Sequence, residues 1–174
     1  MSHLFVDGRY GRDGMDLVNC RRVVVEDSRI EGSDDALCFK TISDNGLDMQ
    51  PAHDVVVRRT NLLSTWCNAI QFGSATEVDM RNFTFSDIEI TGAAKAGVGI
   101  ISMDSANISA ISFRNLTIRG QNVATPLFIK LGTSLLNMVF LFRKRIEFTL
   151  VVSPGRGLDG LGTAQQHVNS ERNV

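Results

Sequence analysis

Little in this chain is in excess. Among its 174 residues, 18 Lys and Arg stand against 19 Asp and Glu, for a net charge of −1. That excludes the basic footprint by which a domain neutralises nucleic-acid phosphates. Long apolar runs are missing as well. A bilayer span needs about 20 such residues, and the nearest approach, residues 135–142, is short and interrupted by Asn137. Cysteine is scarce. Cys20, Cys38 and Cys67 cannot all pair with one another, and their spacing fits no zinc-ligand pattern. They read as small buried hydrophobes. His3, His53 and His167 have no evident ligand partners and read as surface or turn residues. Residues 1–7 hold no basic region followed by an apolar stretch, so no secretion signal is visible.

What is present is apolar content of 43%, enough for one domain with a core, and a repeat. Four columns of residues recur along the chain. They are Val23/Val55/Phe83/Ile111, Val25/Val57/Phe85/Phe113, Ser28/Thr60/Ile88/Leu116 and Ile30/Leu62/Ile90/Ile118. Every column advances by steps of 32, 28 and 28 residues. A near-constant period of this size marks a solenoid, in which each repeat buries its apolar face only by stacking on its neighbour. Polar residues fill most gaps between column members, as in Phe83-Thr84-Phe85-Ser86. Val56 is the exception. Alternation of this kind is the mark of a strand, because successive side chains point to opposite faces. Gly32, Ser64, Gly92 and Gly120 break the runs where the chain must turn.

A second strand follows in each repeat, with inward columns Leu37/Ile70/Val98/Leu127 and Phe39/Phe72/Ile100/Ile129. No amphipathic helix lies between the strands. The expected fold is therefore all-β, a parallel β-helix of about five coils over residues 1–132. A leucine-rich repeat has a similar period, and Phe113-x-x-Leu116-x-Ile118 imitates its pattern, but alternating segments such as Asn68-Ala69-Ile70-Gln71-Phe72 fit a strand better. Outward charges agree with the register. Glu26 falls beside Arg58, Asp27 beside Arg59, and Arg59 beside Asp87, pairings worth roughly 0.2–1 kcal/mol each.

An earlier, shorter repeat, with a step of 22 residues, puts Met15 and Leu17 under Leu37 and Phe39, and Asp13 under Asp35. The next step of 33 puts Asn68 above Asp35. One outer column then reads Asp13/Asp35/Asn68, with Asp34 alongside. Carboxylates one rung apart repel, so one of them is expected to keep its proton to a higher pH than an isolated Asp. Split proton affinities suit acid/base cleavage of a glycosidic bond. An Asp-Asp pair before an apolar run also suits a turn that caps its own backbone. Three acidic groups in adjacent turns also suit a calcium ion. Spacing alone leaves all three open.

The residues Asp13-Gly14-Met15-Asp16-Leu17 and Gly32-Ser33-Asp34-Asp35-Ala36-Leu37-Cys38 resemble the Asp-Gly-Ile-Asp and Asp-Asp motifs of family 28 glycoside hydrolases, the polygalacturonases. The resemblance runs over roughly residues 9–132, through Cys67-Asn68-Ala69-Ile70-Gln71-Phe72-Gly73-Ser74 to Leu127-Phe128-Ile129-Lys130. It implies a right-handed parallel β-helix and inverting hydrolysis of pectic polysaccharide without metal or cofactor. It implies Asp34 as general acid, with Asp13 and Asp35 holding and deprotonating the water. Lys130 would bind a substrate carboxylate and Asn68 would take the place of the family's histidine. Trp66, just before Asn68, is a candidate to stack on a sugar ring; the plainer expectation is a turn residue that covers the core. The chain departs from the family at Cys67-Asn68-Ala69, where Gly-His-Gly is usual, and at Phe128, where Arg is usual. This is a divergent member by resemblance, suited to another pectic linkage such as one next to rhamnose.

After Gly132 no column continues. Residues 133–174 read as an atypical tail, with 153–174 Gly-rich, polar and expected to be disordered. Relatives have coils on both sides of this region, so the chain reads as a piece whose open ends favour self-association and whose activity is weak or absent. They also act outside the cytoplasm, in the extracellular or periplasmic space. The competing expectations are a non-catalytic carbohydrate-binding β-helix and a calcium-dependent pectate lyase. The substrate expected is a pectic polysaccharide, with neither nucleic acid nor membrane as partner. Asn82, Asn107 and Asn115 head glycosylation-type triplets but, at solenoid turns, receive no role.

Overall fold

The structure, a computed structural model, describes residues 1–43, 50–104, 106–120, 122–131, 146–151 and 165–167, the last two spans and Leu131 as backbone only. Among the described residues there is no helix; the chain is a parallel β-solenoid of about four turns, matching a parallel β-helix. One wall is a short sheet of five strands. In spatial order these are β2 (Met15–Val18), β5 (Leu37–Thr41), β7 (Ile70–Thr76), β9 (Ala96–Ser102) and β11 (Thr125–Leu131). They mark five rungs, numbered one to five below. The other wall is a long sheet built from β1 (Phe5–Gly8), β3 (Arg21–Glu26), β4 (Arg29–Gly32), β6 (Ala52–Ser64), β8 (Met80–Gly92) and β10 (Ile108–Ile118).

The register is the one read from the columns. Val23 pairs with Val55, Val55 with Phe83, and Phe83 with Ile111. Leu37, Ile70, Val98 and Leu127 pair in the same way on the short sheet, and Met15 and Leu17 pair with Leu37 and Phe39. These side chains fill the tube. Phe39 and Phe72 stack at 4.9 Å between ring centroids, and Phe83 meets both rings edge-on at 5.2 and 5.1 Å. Phe85 and Phe113 stack at 4.7 Å. All five rings are nearly fully buried, so each holds most of the large apolar area an aromatic removes from water. In the third column Ser28 and Thr60 stand where later rungs have Ile88 and Leu116. Each hydroxyl donates to a carbonyl two residues back, Glu26 and Arg58, which satisfies it inside the wall.

The long strands are bent by a device the apolar pattern does not reveal. Two further columns, Arg22/Asp54/Asn82/Ala110 and Asp27/Arg59/Asp87/Asn115, lie in the left-handed region, with φ between 48° and 59°. Both follow the same steps of 32, 28 and 28. Asp and Asn tolerate this conformation better than other non-glycine residues. Neighbours in the column tie one kink to the next. Asn82 donates to Asp54 at 2.5 Å, Asn115 to Asp87 at 2.7 Å, and Arg59 grips Asp27 with two bonds of 2.7 Å. The expected Glu26–Arg58 pair is present at 2.7 Å.

At the far end the structure differs from the sequence reading. β12 (Ile146–Val151) pairs in parallel with β10, so the ladder resumes beyond Gly132. Phe148 stands opposite Ile111 and Leu150 opposite Phe113, steps of 37 rather than 28. An intervening segment nine residues longer than the period hides this rung from a search for constant spacing. The short strand β13 (Gln165–His167) pairs antiparallel with β12. The rest of the tail, residues 132–145, 152–164 and 168–174, lies outside the described residues.

Candidate functional site

The site stands on one corner of the solenoid, where each long-sheet strand turns into its short-sheet partner. Successive turns are bonded in series. Asp34 N–H donates to Arg12 O at 3.2 Å, Trp66 N–H to Ser33 O at 2.9 Å, and Lys95 N–H to Cys67 O at 3.0 Å. Gly32 is required here: a Cβ would lie 2.2 Å from Asp35 O. The corner therefore carries Asp13 on rung one, Asp34 and Asp35 on rung two, and Asn68 on rung three.

The acidic column is also a hydrogen-bonded ladder. Asp13 Oδ1 accepts from Asp35 N–H at 3.0 Å, Asp35 Oδ1 from Asn68 N–H at 3.0 Å, and Asn68 Oδ1 from Ala96 N–H at 2.9 Å. Each side chain accepts from a backbone N–H of the next rung, in the turn before β5 and β7 and at the start of β9. The three aspartates are thus brought together as the register requires. An oxygen of Asp34, an oxygen of Asp35 and the Cys67 sulfur all lie within 4.8 Å of one another. Asp34 is exposed, whereas Asp35 and Asp13 are half-buried.

The environments separate the two stacked carboxyls. Burial drives Asp35 up to about 6, against the hydrogen bond from Asn68 and with the help of the charges on Asp13 and Asp34. Burial also works against the charge on Asp13, but it is outweighed. Hydrogen bonds from Lys40 and from Asp35 N–H, with the Lys40 charge, hold Asp13 below the usual carboxylate range. The Lys40 ammonium lies 2.8 Å from Asp13 Oδ2 and 2.9 Å from Asp16 Oδ1. Asp13, Asp16 and Cys38 bring donor atoms within 4.8 Å of one another, as a metal would need, but this is where Lys40 places its positive charge. Among the described residues the other such group is Asp34, Asp35 and Cys67.

The remaining expected residues fall differently. Asn68 is only 8% exposed, and its amide is used internally: Nδ2 donates to Gln71 Oε1 at 2.7 Å. Gly99 makes room for that pair, since a Cβ there would lie 2.4 Å from Gln71 Oε1. Trp66 is 69% exposed, so its ring does not cover the core and is free on the outer wall one rung beyond Asp34. Lys130 is exposed on rung five, in register with Ile101. It stands three rungs from Asp34 and Asp35, about 14 Å along the axis alone, and is not part of the acidic group. Cys38 is buried, while Cys20 and Cys67 are half-buried, and all three are free thiols. Lys95 donates to the Cys67 sulfur at 3.0 Å. Burial and then the bond to Asp34 nevertheless push that thiol up.

Sequence reasoning missed Lys40, Asp16 and Lys95. The signal for Lys40 was within reach. The step of 22 that aligns Asp13 with Asp35 also aligns Val18 with Lys40, on the same outward face as Asp16. Among the described residues no helix is long and apolar enough to cross a membrane. No family model, no curated protein and no solved structure matches this chain.

Proposed function

We propose that this corner is the acid/base centre of a polygalacturonase-like glycoside hydrolase, cleaving pectic polysaccharide with inversion. The observation that supports it is the stacking of Asp13 and Asp35 on one wall with opposed proton affinities, and Asp34 alongside them. Packing alone does not favour stacked carboxyls, because ionising both is costly. In this reading Asp34, the exposed member, protonates the departing glycosidic oxygen. Asp13, held ionised by Lys40, orients a water, and Asp35 takes its proton as the water's oxygen bonds to the anomeric carbon. Since Asp35 must be ionised to act as base, the rate rises with pH through about 6. Trp66 offers a sugar-stacking face beside the acid, and Lys130 is left for a distant part of the chain of sugars.

One observation favours a second reading, a carbohydrate-binding β-helix without catalysis. Asp13, Asp35 and Asn68 each spend an oxygen on the rung above, so the column serves the scaffold whether or not it does chemistry. The lyase reading has less support, because a lysine ammonium supplies the positive charge at Asp13 and Asp16.

A reducing-end assay on pectic polysaccharide with the purified protein and its Asp34→Asn variant separates the three. Hydrolysis predicts new reducing ends without an ultraviolet-absorbing product, and a loss of about 100-fold or more in the variant. Equal rates in both proteins remove Asp34 from the acid role. Affinity for the polysaccharide with no release of ends supports the binding module. A chelator-sensitive absorbing product supports the lyase.

A further inference from the structure

We propose that Lys40 is a tethered counter-cation that decides which of two stacked carboxyls loses its proton first: it holds Asp13 ionised and leaves Asp35 as the member that ionises only at higher pH. Its place in the deduced chemistry rests on the hydrolase reading, but the proton assignment does not.

The geometry is unequal in a way that registers on protons. Asp13 and Asp35 sit one rung apart, about 4.8 Å between strands. Asp13 receives two donors, Lys40 Nζ on Oδ2 and Asp35 N–H on Oδ1. Asp35 receives the Asn68 N–H on Oδ1. Lys40 grows from β5, five residues beyond Asp35, which lies in the turn before that strand. Its side chain does not extend straight out. It reaches back along the wall and down one rung to Asp13 and Asp16. The Lys40 side chain is three-quarters shielded from solvent, so its ion pair is screened less than a fully exposed one. The cation is thus committed to the lower carboxyl. The upper one, more deeply buried, faces the negative charges of Asp13 and Asp34.

The other charged or titratable groups at this corner do not reverse the bias. Asp16 on β2 shares Lys40 with Asp13. Cys38 on β5 is a buried thiol raised by burial. Cys67 on the rung-three turn is likewise raised, and Lys95 on the rung-four turn donates to the Cys67 sulfur. Arg12, on the rung-one turn, is exposed and meets this corner through its backbone carbonyl.

The test is a direct titration of side-chain carboxyl carbons by NMR in protein labelled at aspartate, with wild type, Lys40→Met and Lys40→Arg compared. In wild type, Asp13 should titrate below Asp35. Lys40→Met should raise Asp13 by about one unit or more, at least a tenfold rise in proton affinity, and narrow its separation from Asp35. Lys40→Arg should keep the wild-type order, which a purely space-filling role for the side chain would not require. An unchanged Asp13 in folded Lys40→Met overturns the proposal. Should that variant fail to fold, the wild-type titration still decides it, because Asp35 titrating below Asp13, or both together, overturns it alone. None of these readouts needs the protein to cleave anything. A failed reducing-end assay therefore leaves the proton assignment standing, and a failed titration leaves Asp34 untouched.

Discussion

The inner columns and the acidic corner are made by the same operation, stacking like residues on like at each turn, yet the energetics are opposite. Inside, Phe39 on Phe72 and Phe85 on Phe113 add contact area and exclude water. At the corner, Asp13 under Asp35 adds repulsion and forces a proton or a cation into the structure. A solenoid rewards repetition of apolar residues and penalises repetition of charge. The corner survives because Asp13 and Asp35 each spend one oxygen on a backbone N–H of the next rung, and because Lys40 supplies a fixed positive charge.

Substitutions can break this contrast or sharpen it. The largest effect is expected inside. Phe72→Ala empties space shared with Phe39, Phe83 and Phe85, and urea unfolding should report a loss of about 3–5 kcal/mol. Asn68→Ala is next. It strands the buried Ala96 N–H and Gln71 Oε1, for an expected cost of about 1–3 kcal/mol in the same measurement. If the cost is negligible, the ladder of capped N–H groups is not holding the corner.

Asp35→Asn should do the reverse and stabilise. The Asp35 carboxyl is raised in the folded state, so the protonated form is the one folding favours. Its contribution is fully present below the unfolded value near 4 and is lost as pH rises through about 6. An amide cannot ionise and keeps the oxygen that accepts from Asn68. Melting curves should therefore show Asp35→Asn more stable than wild type at pH 8, by about 1–2 kcal/mol after allowance for partial exposure, with the difference gone at pH 4. Asp13 has the opposite sign: its contribution is present above the ordinary carboxylate range and fades as pH falls below it. The smallest effect belongs to the bends. Ala110 takes φ 53° in a column otherwise occupied by Arg, Asp and Asn. Ala110→Gly should relieve that strain, net of glycine's chain entropy, by ~0.5 kcal/mol in the same melts. A destabilised Ala110→Gly would mean that the bend is held by neighbours rather than tolerated.

The fold was legible because burial inside a tube demands an apolar residue at the same place in every turn, so the pairings from Val23 to Ile111 and from Leu37 to Leu127 stand in the sequence as columns. The meeting of Asp13 with Asp35 followed from the same steps. Less could be read at the bends, where Asp54, Asn82, Asp87 and Asn115 look like ordinary surface polars until φ is known. The rung at Ile146–Val151 was hidden by its longer step. Asn68 looked available for a ligand and is instead spent on Gln71 and Ala96; Lys130, expected to bind a substrate carboxylate, stands three rungs from the acidic group.

By itself, then, the sequence determined which backbone positions are neighbours, since periodic burial is a property of the chain that no side-chain detail can alter. Only the tertiary structure decided where each polar atom finds its partner: that the Lys40 ammonium folds back onto Asp13 and that Asp35 sinks far enough for burial to raise its proton affinity. The physical reason is range. Register is set by area summed over many apolar side chains, whereas a proton's location is set by a few ångströms of distance and the water excluded from them.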